Sequence, residues 1–368
     1  MLILLILSAA VSWLGCAFLL KIGRANGQKY GDGVPQRFHI GHVPRLGGVA
    51  MMLACTAGWA WIVVSERFFG ANSNIHFSLS HTVSWWAVVL VAVASGVAED
   101  LTQKVSAKWR LAITFLAGMA ATWLLGLSID SLDIPALQVL WGATPWIGIA
   151  FAAFAIAGLS HAFNLIDGYN GLAGIVAIIC CLAVAYVSHV HADRELVAIL
   201  LVLAGATAGF LVWNYPRGLI FAGDGGAYLW GVVIALSSIQ LVQRYPDVSP
   251  WFPVLLLIYP VGETFFSIWR KLVRGQSPGV ADALHFHQLI YRRIVRDVFD
   301  DDEARRLLLR NNRTSPYLWG FTVLTVIPAV LFWQSTPMLI FFTAFFVLCY
   351  VWAYLRIVRF RVPRWLRR

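Results

Sequence analysis

The residues best suited to chemistry in this chain are carboxylates at the ends of long apolar runs. They are Glu99-Asp100, Asp167 within Asn164-Leu-Ile-Asp167-Gly168-Tyr-Asn170-Gly171, and Asp224 within Gly223-Asp224-Gly225-Gly226. Ionisable groups at bilayer depth are costly and mark functional sites. Carboxylates, amides and glycines gathered at one membrane face suit a hard cation held against phosphate oxygens. In the 164–171 segment two glycines permit a tight turn. The apolar run that follows aims a helix N-terminus at whatever the loop holds, which is an anion site. In the 214–226 segment Gly223 and its neighbours let backbone N–H groups approach phosphate, Asp224 is placed to bind Mg2+, and Phe221 is placed to stack on a base. Plainer readings stand beside these. Asx-Gly pairs are also ordinary turn chemistry, and a lone Gly-Asp-Gly-Gly is weak. Acids at a helix C-terminus oppose the macrodipole, so a purely structural Glu99-Asp100 is disfavoured. Together the three groups point to phosphoryl transfer on a lipid.

Further along, His285-Phe-His287 follows Ser277-Pro278 and Asp282 and precedes Arg292, Arg293 and Arg296. Two imidazoles without a third ligand rarely hold a metal, so anion recognition is the better reading. Leu284, Tyr291, Ile294 and Val298 recur at helical spacing, which predicts a short amphipathic helix lying in the membrane interface. Asp300-Asp-Asp-Glu303 reads as N-terminal charge on a helix over 304–310.

The elements that must carry these groups are membrane spans. The 368 residues are 60% hydrophobic and 12% charged, with a mean hydropathy of +0.73; a soluble domain has about 25% charged residues. Runs of ~20 apolar residues predict an all-α, polytopic integral membrane helical bundle of about eleven transmembrane helices. They fall near 2–20, 46–64, 83–98, 110–127, 143–160, 170–188, 195–213, 226–243, 251–269, 316–334 and 337–355. The N-terminal run lacks a basic leader and a small-residue cleavage site, so it reads as a retained span. With the N-terminus outside, the cytoplasmic segments are 21–45, 99–110, 161–169, 214–225, 270–315 and 356–368. They hold 25 of the 28 Lys and Arg residues, which satisfies the positive-inside rule. The net charge of +10 is then a cytoplasmic-face property suited to anionic headgroups and phosphorylated substrates. No soluble segment is large enough to dock a duplex, which excludes nucleic acid. The five cysteines lack metal or disulfide spacing. Residues 1–368 read as a single transmembrane catalytic domain with its active site at the cytoplasmic face.

In this order, the motifs resemble the polyprenyl-phosphate N-acetylhexosamine-1-phosphate transferases, from the first cytoplasmic loop to about Arg293. The first loop is similar to that family's D-x-P-x-x-R-x-H…P-x-x-G-G segment at Asp32, Pro35, Arg37, His39, Pro44, Gly47 and Gly48. Glu99-Asp100 resembles its acidic pair. Asn164, Asp167 and Asn170 resemble its N-x-x-D-G-x-[ND]-G loop, and Asn214 with Phe221-x-Gly223-Asp224 its F-x-G-D segment. Ser277-Pro278, Asp282, His285 and His287 resemble its histidine loop. The resemblance implies a UDP-sugar donor, an undecaprenyl phosphate acceptor, UMP release, and Mg2+ as cofactor with Mn2+ as an alternative. It implies catalytic roles for Asp100, Glu99, Asp167 and Asp224, with Asp224 and Asp167 on the metal. Substrate-binding roles pass to Arg37, His39, Asn164, Asn170, Asn214, Phe221, Asp282, His285 and His287. N-acetylglucosamine-1-phosphate is the group implied, in cell-surface polysaccharide synthesis at the plasma (inner) membrane, with a homodimer as an admissible assembly. Direct attack and a covalent aspartyl intermediate both fit. Three positions depart from the pattern: Glu99 for Asp, Glu263 where the family usually has Asp, and Gln288 for a third histidine. One alternative is a phospho-N-acetylmuramoyl-pentapeptide transferase. Another, from a different class, is a polytopic lipid or solute transporter, which would place ionisable groups near span midplanes.

Overall fold

The computed structural model describes residues 1–23, 43–69, 78–277, 284–296 and 298–359, omitting side chains at 66–69 and 140. The described residues form fourteen helices and no strand. These are α1 (Leu2–Ile22), α2 (Gly47–Phe69), α3 (Leu79–Thr102), α4 (Ala107–Leu124), α5 (Pro135–Ala143), α6 (Pro145–Ile166) and α7 (Leu172–Val190). Then come α8 (Arg194–Asn214), α9 (Gly223–Arg244), α10 (Trp251–Leu256), α11 (Ile258–Val273), α12 (Phe286–Arg293), α13 (Glu303–Leu331) and α14 (Thr336–Val358). Among the described residues nine are long and apolar enough to cross a bilayer, so the chain is a multi-pass membrane protein. The two other expected spans correspond to α4, which opens on Ala-Lys-Trp-Arg, and to the pair α10–α11. Pro260 has no N–H to give the 256 carbonyl, and the helix breaks at Leu257.

Helix α9 is the axis of the bundle. All of its residues from Gly223 to Leu241 are buried, whereas α1 and α14 show much of their apolar surface to lipid. Such a central position requires backbones to approach closely, and lipid-embedded helices do this through small residues. Gly48 of α2 faces the main chain of Gly225 and Gly226, with no room for a Cβ. On α3, a Cβ at Gly96 would lie 2.5 Å from the Gly225 nitrogen. Two glycine contacts therefore press α2 and α3 onto the first turn of α9, where Asp224 stands.

Three expectations are corrected. α5 is a helix where a loop was expected. α13 begins at Glu303 instead of 316, because Asp302 caps it by accepting the N–H groups of Ala304 and Arg305; this acidic run does serve a helix N-terminus. The helix around Tyr291 is eight residues long and is packed within the protein instead of lying on its surface. Every residue from Phe286 to Tyr291 is buried, because its polar face meets protein partners instead of headgroups.

Candidate functional site

The segment before α2 runs beside the strand-like residues before α9. Phe221 N–H donates to the Pro44 carbonyl, and the Gly47 and Gly48 amides donate to the carbonyls of Phe221 and Ala222, each at 2.9 Å. This staple brings Arg45 to the cluster. Gly223 takes φ +70°, a turn only glycine enters cheaply, and α9 starts there. Asp100, 1% exposed, accepts the amides of Asp224 and Gly225 on its two oxygens at 3.0 Å each. Asp224, 8% exposed, has its Oδ1 held by Asn164 Nδ2 at 2.8 Å. Its Oδ2 is paired with the Arg110 guanidinium.

Asp167 follows the end of α6, half-buried, and lines the same cavity. Burial pushes its carboxyl up to about 7, with Arg45 pulling it down and Asp100 adding to the rise. Glu99 lines the same cavity, and its Oε2 accepts the Val105 amide at 2.7 Å, closing the turn after α3.

The histidine loop joins from the other side. His285 and His287 stack with centroids 5.3 Å apart. His287 sits against Gly168, where a Cβ would lie 3.1 Å from Nε2, and edge-on to Tyr169. Glu263, fully buried on α11, takes the Phe286 amide and His285 Nδ1 on Oε1, each at 3.1 Å, and the Tyr350 hydroxyl on Oε2. An acceptor there holds the Nδ1 proton and leaves Nε2 for the cavity. Gln288, in place of a third histidine, accepts the His285 amide at 3.2 Å and closes the start of α12.

Two amides expected to bind substrate are engaged in holding loops. Asn214 accepts the Gly171 amide at 2.7 Å and donates to the Ile220 carbonyl at 2.8 Å. Asn170 is gripped by α13: its N–H donates to Asn311 Oδ1 (2.8 Å), its Nδ2 to Asn312 Oδ1 (3.0 Å), and its carbonyl accepts Ser315 Oγ (2.6 Å). Phe221 lines the cavity. Arg37, His39 and Asp282 lie outside the described residues.

One cavity of about 1400 Å3 contains this cluster. Its polar end is formed by Arg45, Arg110, Asp167, Asp224 and the two histidines. It continues between α6 and α11 as an apolar trough walled by Phe151, Phe154, Val261, Phe265 and Ile268. Sequence reasoning missed Arg110, although a signal was present: Lys108 and Arg110 occupy the first turn of α4, where cations oppose the macrodipole. Among the described residues Arg110 Nε, buried, has no hydrogen-bond partner, so the guanidinium retains donors for an anion. No three His, Cys, Asp or Glu side chains among the described residues form a metal cage. Asp224 and Asp167 instead fit Mg2+ as it is usually held, by one or two carboxylates plus substrate phosphates.

The described helices thus define a polytopic membrane bundle with a charged chamber opening onto an apolar trough. Residues 82–242 match the model of glycosyl transferase family 4. It is 25% identical over 256 residues to the probable undecaprenyl-phosphate N-acetylglucosaminyl 1-phosphate transferase of Bacillus subtilis, covering 68% of this chain and 66% of that protein. It is also 25% identical over 307 residues to the phospho-N-acetylmuramoyl-pentapeptide-transferase of Streptococcus mutans, covering 77% and 85%. The protein of the same name from Bartonella quintana is 28% identical over 239 residues, covering 60% of this chain and 65% of its own length. The matched family region contains Asp100, Arg110, Asp167 and Asp224. Glu263, the histidine loop and the α13 clamp fall beyond it.

Proposed function

We propose that this chain transfers N-acetylglucosamine-1-phosphate from a UDP-sugar to undecaprenyl phosphate, releasing UMP, at the cytoplasmic face of the plasma membrane. The continuity of the polar chamber with the apolar trough carries the reading. A diphosphate needs the cations Arg45, Arg110 and the histidines provide, and a polyprenyl chain needs the wall of phenylalanines.

The acceptor phosphate attacks the sugar-linked phosphorus, and the bond to the UMP phosphate breaks. A phosphate monoester has its second pKa near ~6, so the attacking oxygen is already charged at neutral pH and requires no strong base. The chain's task is to gather anions and hold them in line. Asn164 fixes one Asp224 oxygen, leaving the other to exchange Arg110 for a ligand. His285, held through Nδ1 by Glu263, turns Nε2 toward the chamber, and its imidazolium form donates from there to a phosphate oxygen. Mg2+, or Mn2+ in its place, would be held by Asp224 and Asp167 and would supply neutralisation of the transferring phosphoryl group.

A second reading keeps the acceptor and changes the donor to UDP-N-acetylmuramoyl-pentapeptide; it is favoured by the names of the Streptococcus and Bartonella relatives. Purified protein given undecaprenyl phosphate and a panel of UDP-sugars, scored for UMP and lipid-linked product, separates them. Product from UDP-N-acetylglucosamine supports the first reading, and product from the muramoyl-pentapeptide donor alone selects the second. UMP from no donor would overturn both and leave the transporter reading.

A further inference from the structure

Asp100 belongs to the acidic pair to which the sequence resemblance assigns catalysis, yet its surroundings fit a different task. The first amides of a helix have no intrahelical acceptor, and α9 has Ala222 at its N-cap, which offers no side-chain acceptor. The acceptor comes from another helix. Asp100 Oδ1 takes the Asp224 amide and Oδ2 the Gly225 amide, each at 3.0 Å. An anion at that position is also favoured by the helix macrodipole. The arrangement is built by the sequence of α3: Gly96, one turn earlier on the same face, lets α3 touch the Gly225 backbone, and four residues later the carboxylate meets the N-terminus. Gly223 completes the seat, since a Cβ there would collide with Asp100 Oδ2. With 1% of its surface exposed and each oxygen on an amide, Asp100 offers almost no surface on which an acceptor phosphate could be deprotonated.

We propose that Asp100 is a positioning residue, a cap delivered from α3 to α9 that fixes the main chain of Asp224. Asn164 then sets the direction of the Asp224 carboxylate from the other side. The proposal rests on the reading of Asp224 as a metal ligand. It makes the acidic pair a scaffold: Glu99 closes the turn after α3, and Asp100 fastens α3 to the helix that carries the ligand.

The test uses full-length protein and three measurements: Mn2+ binding in the presence of UDP by electron paramagnetic resonance, amide hydrogen exchange of the 223–226 segment, and the pH dependence of kcat. In wild type the Asp224 and Gly225 amides exchange slowly; fast exchange there overturns the cap without any variant. Asp100→Asn turns an NH2 group toward one of the two amides. Asp100→Glu keeps a carboxylate but adds a methylene that the Gly223 seat cannot accept. Both are expected to weaken Mn2+ binding about 10- to 100-fold, the usual effect of removing a group that orients a ligand. Both speed exchange at Asp224 and Gly225 and leave the shape of the pH profile unchanged. A general base behaves otherwise: Asp100→Glu keeps turnover, Asp100→Asn binds Mn2+ as wild type does, and its kcat recovers at high pH. That pattern overturns the proposal. A wild-type protein that binds no Mn2+ with UDP overturns the metal reading itself, and the exchange data still decide the cap.

Discussion

Replacing Glu263 with alanine removes one buried acceptor from three donors that have no other route to it. The carboxylate is fully buried on α11 and holds His285 Nδ1, the Phe286 amide and the Tyr350 hydroxyl. Hydrogen bonds to a charged group contribute about 1.5–3 kcal/mol each, and removing one partner of a buried ionic contact costs about 3–5 kcal/mol. The donors share one carboxylate, so the sum is not additive, and we take about 4 kcal/mol for Glu263→Ala. That is roughly a thousandfold in the unfolding equilibrium. Glu263→Gln keeps the shape and one acceptor oxygen but turns an NH2 group toward a donor, and should lose about half as much. The assay is reversible unfolding in mixed micelles followed by tryptophan fluorescence, paired with transfer kinetics under conditions where the variant is folded. The folded variant should show a raised KM for the UDP donor, because the carboxylate is what holds His285 Nδ1, and the stack on His287 alone does not fix which ring nitrogen faces the chamber. If Glu263→Ala unfolds within about 1 kcal/mol of wild type and keeps its KM, the acid does not organise the histidine loop and the reasoning fails.

Two further outcomes are expected. Asn312→Ala combined with Ser315→Ala removes two of the three hydrogen bonds by which α13 grips Asn170, together with the 2.7 Å bond from Asn312 to the Pro216 carbonyl. At about 1 kcal/mol each the pair should lose roughly 2–3 kcal/mol and speed amide exchange across the 164–171 loop; unchanged exchange there would show that α13 merely touches the loop. Asp167, raised by burial to about 7, binds a proton more tightly folded than unfolded, where its value is near ~3.9. Its contribution is therefore full below about pH 4 and lost as pH rises through about 7. In chelator-treated buffer, wild type should lose stability between pH 5 and pH 8 relative to Asp167→Asn, and parallel melting curves would refute this.

Much of the scaffold was legible because apolar runs of bilayer length have few alternatives. Each of the eleven expected segments coincides with a helix or, at 251–269, with a broken pair whose break Pro260 explains. The gathering of Asp167 and Asp224 was legible because acidic, glycine-flanked groups recur at the ends of apolar runs, more densely than turn chemistry alone requires. The partners of each polar group were not. Asn170 and Asn214 looked like ligand amides and both line the cavity, but the loop and α13 groups they also hold could not be read from the sequence. Asn311, Asn312 and Ser315 lie some 140 residues from the amide they hold and carry no local motif. The α12 helix misled for a related reason: a polar face that meets Glu263 and Gly168 reads, one residue at a time, like a face that meets water. Arg110 was hidden inside a run counted only as topogenic positive charge.

The grip of α13 on Asn170 and the reach of α14's Tyr350 to Glu263 also bear on how the protein is made. A ribosome that has finished α9 has already synthesised Asp100, Asp167 and Asp224, with Asn214 holding the 164–171 loop from α8, while α13 and α14 are still untranslated. Until the last two helices insert, Glu263 lacks one of its three donors, the Tyr350 hydroxyl, and Asn170 lacks its partners on α13. The carboxylates of the chamber are therefore made first, and the contacts that complete their surroundings arrive with the final hairpin.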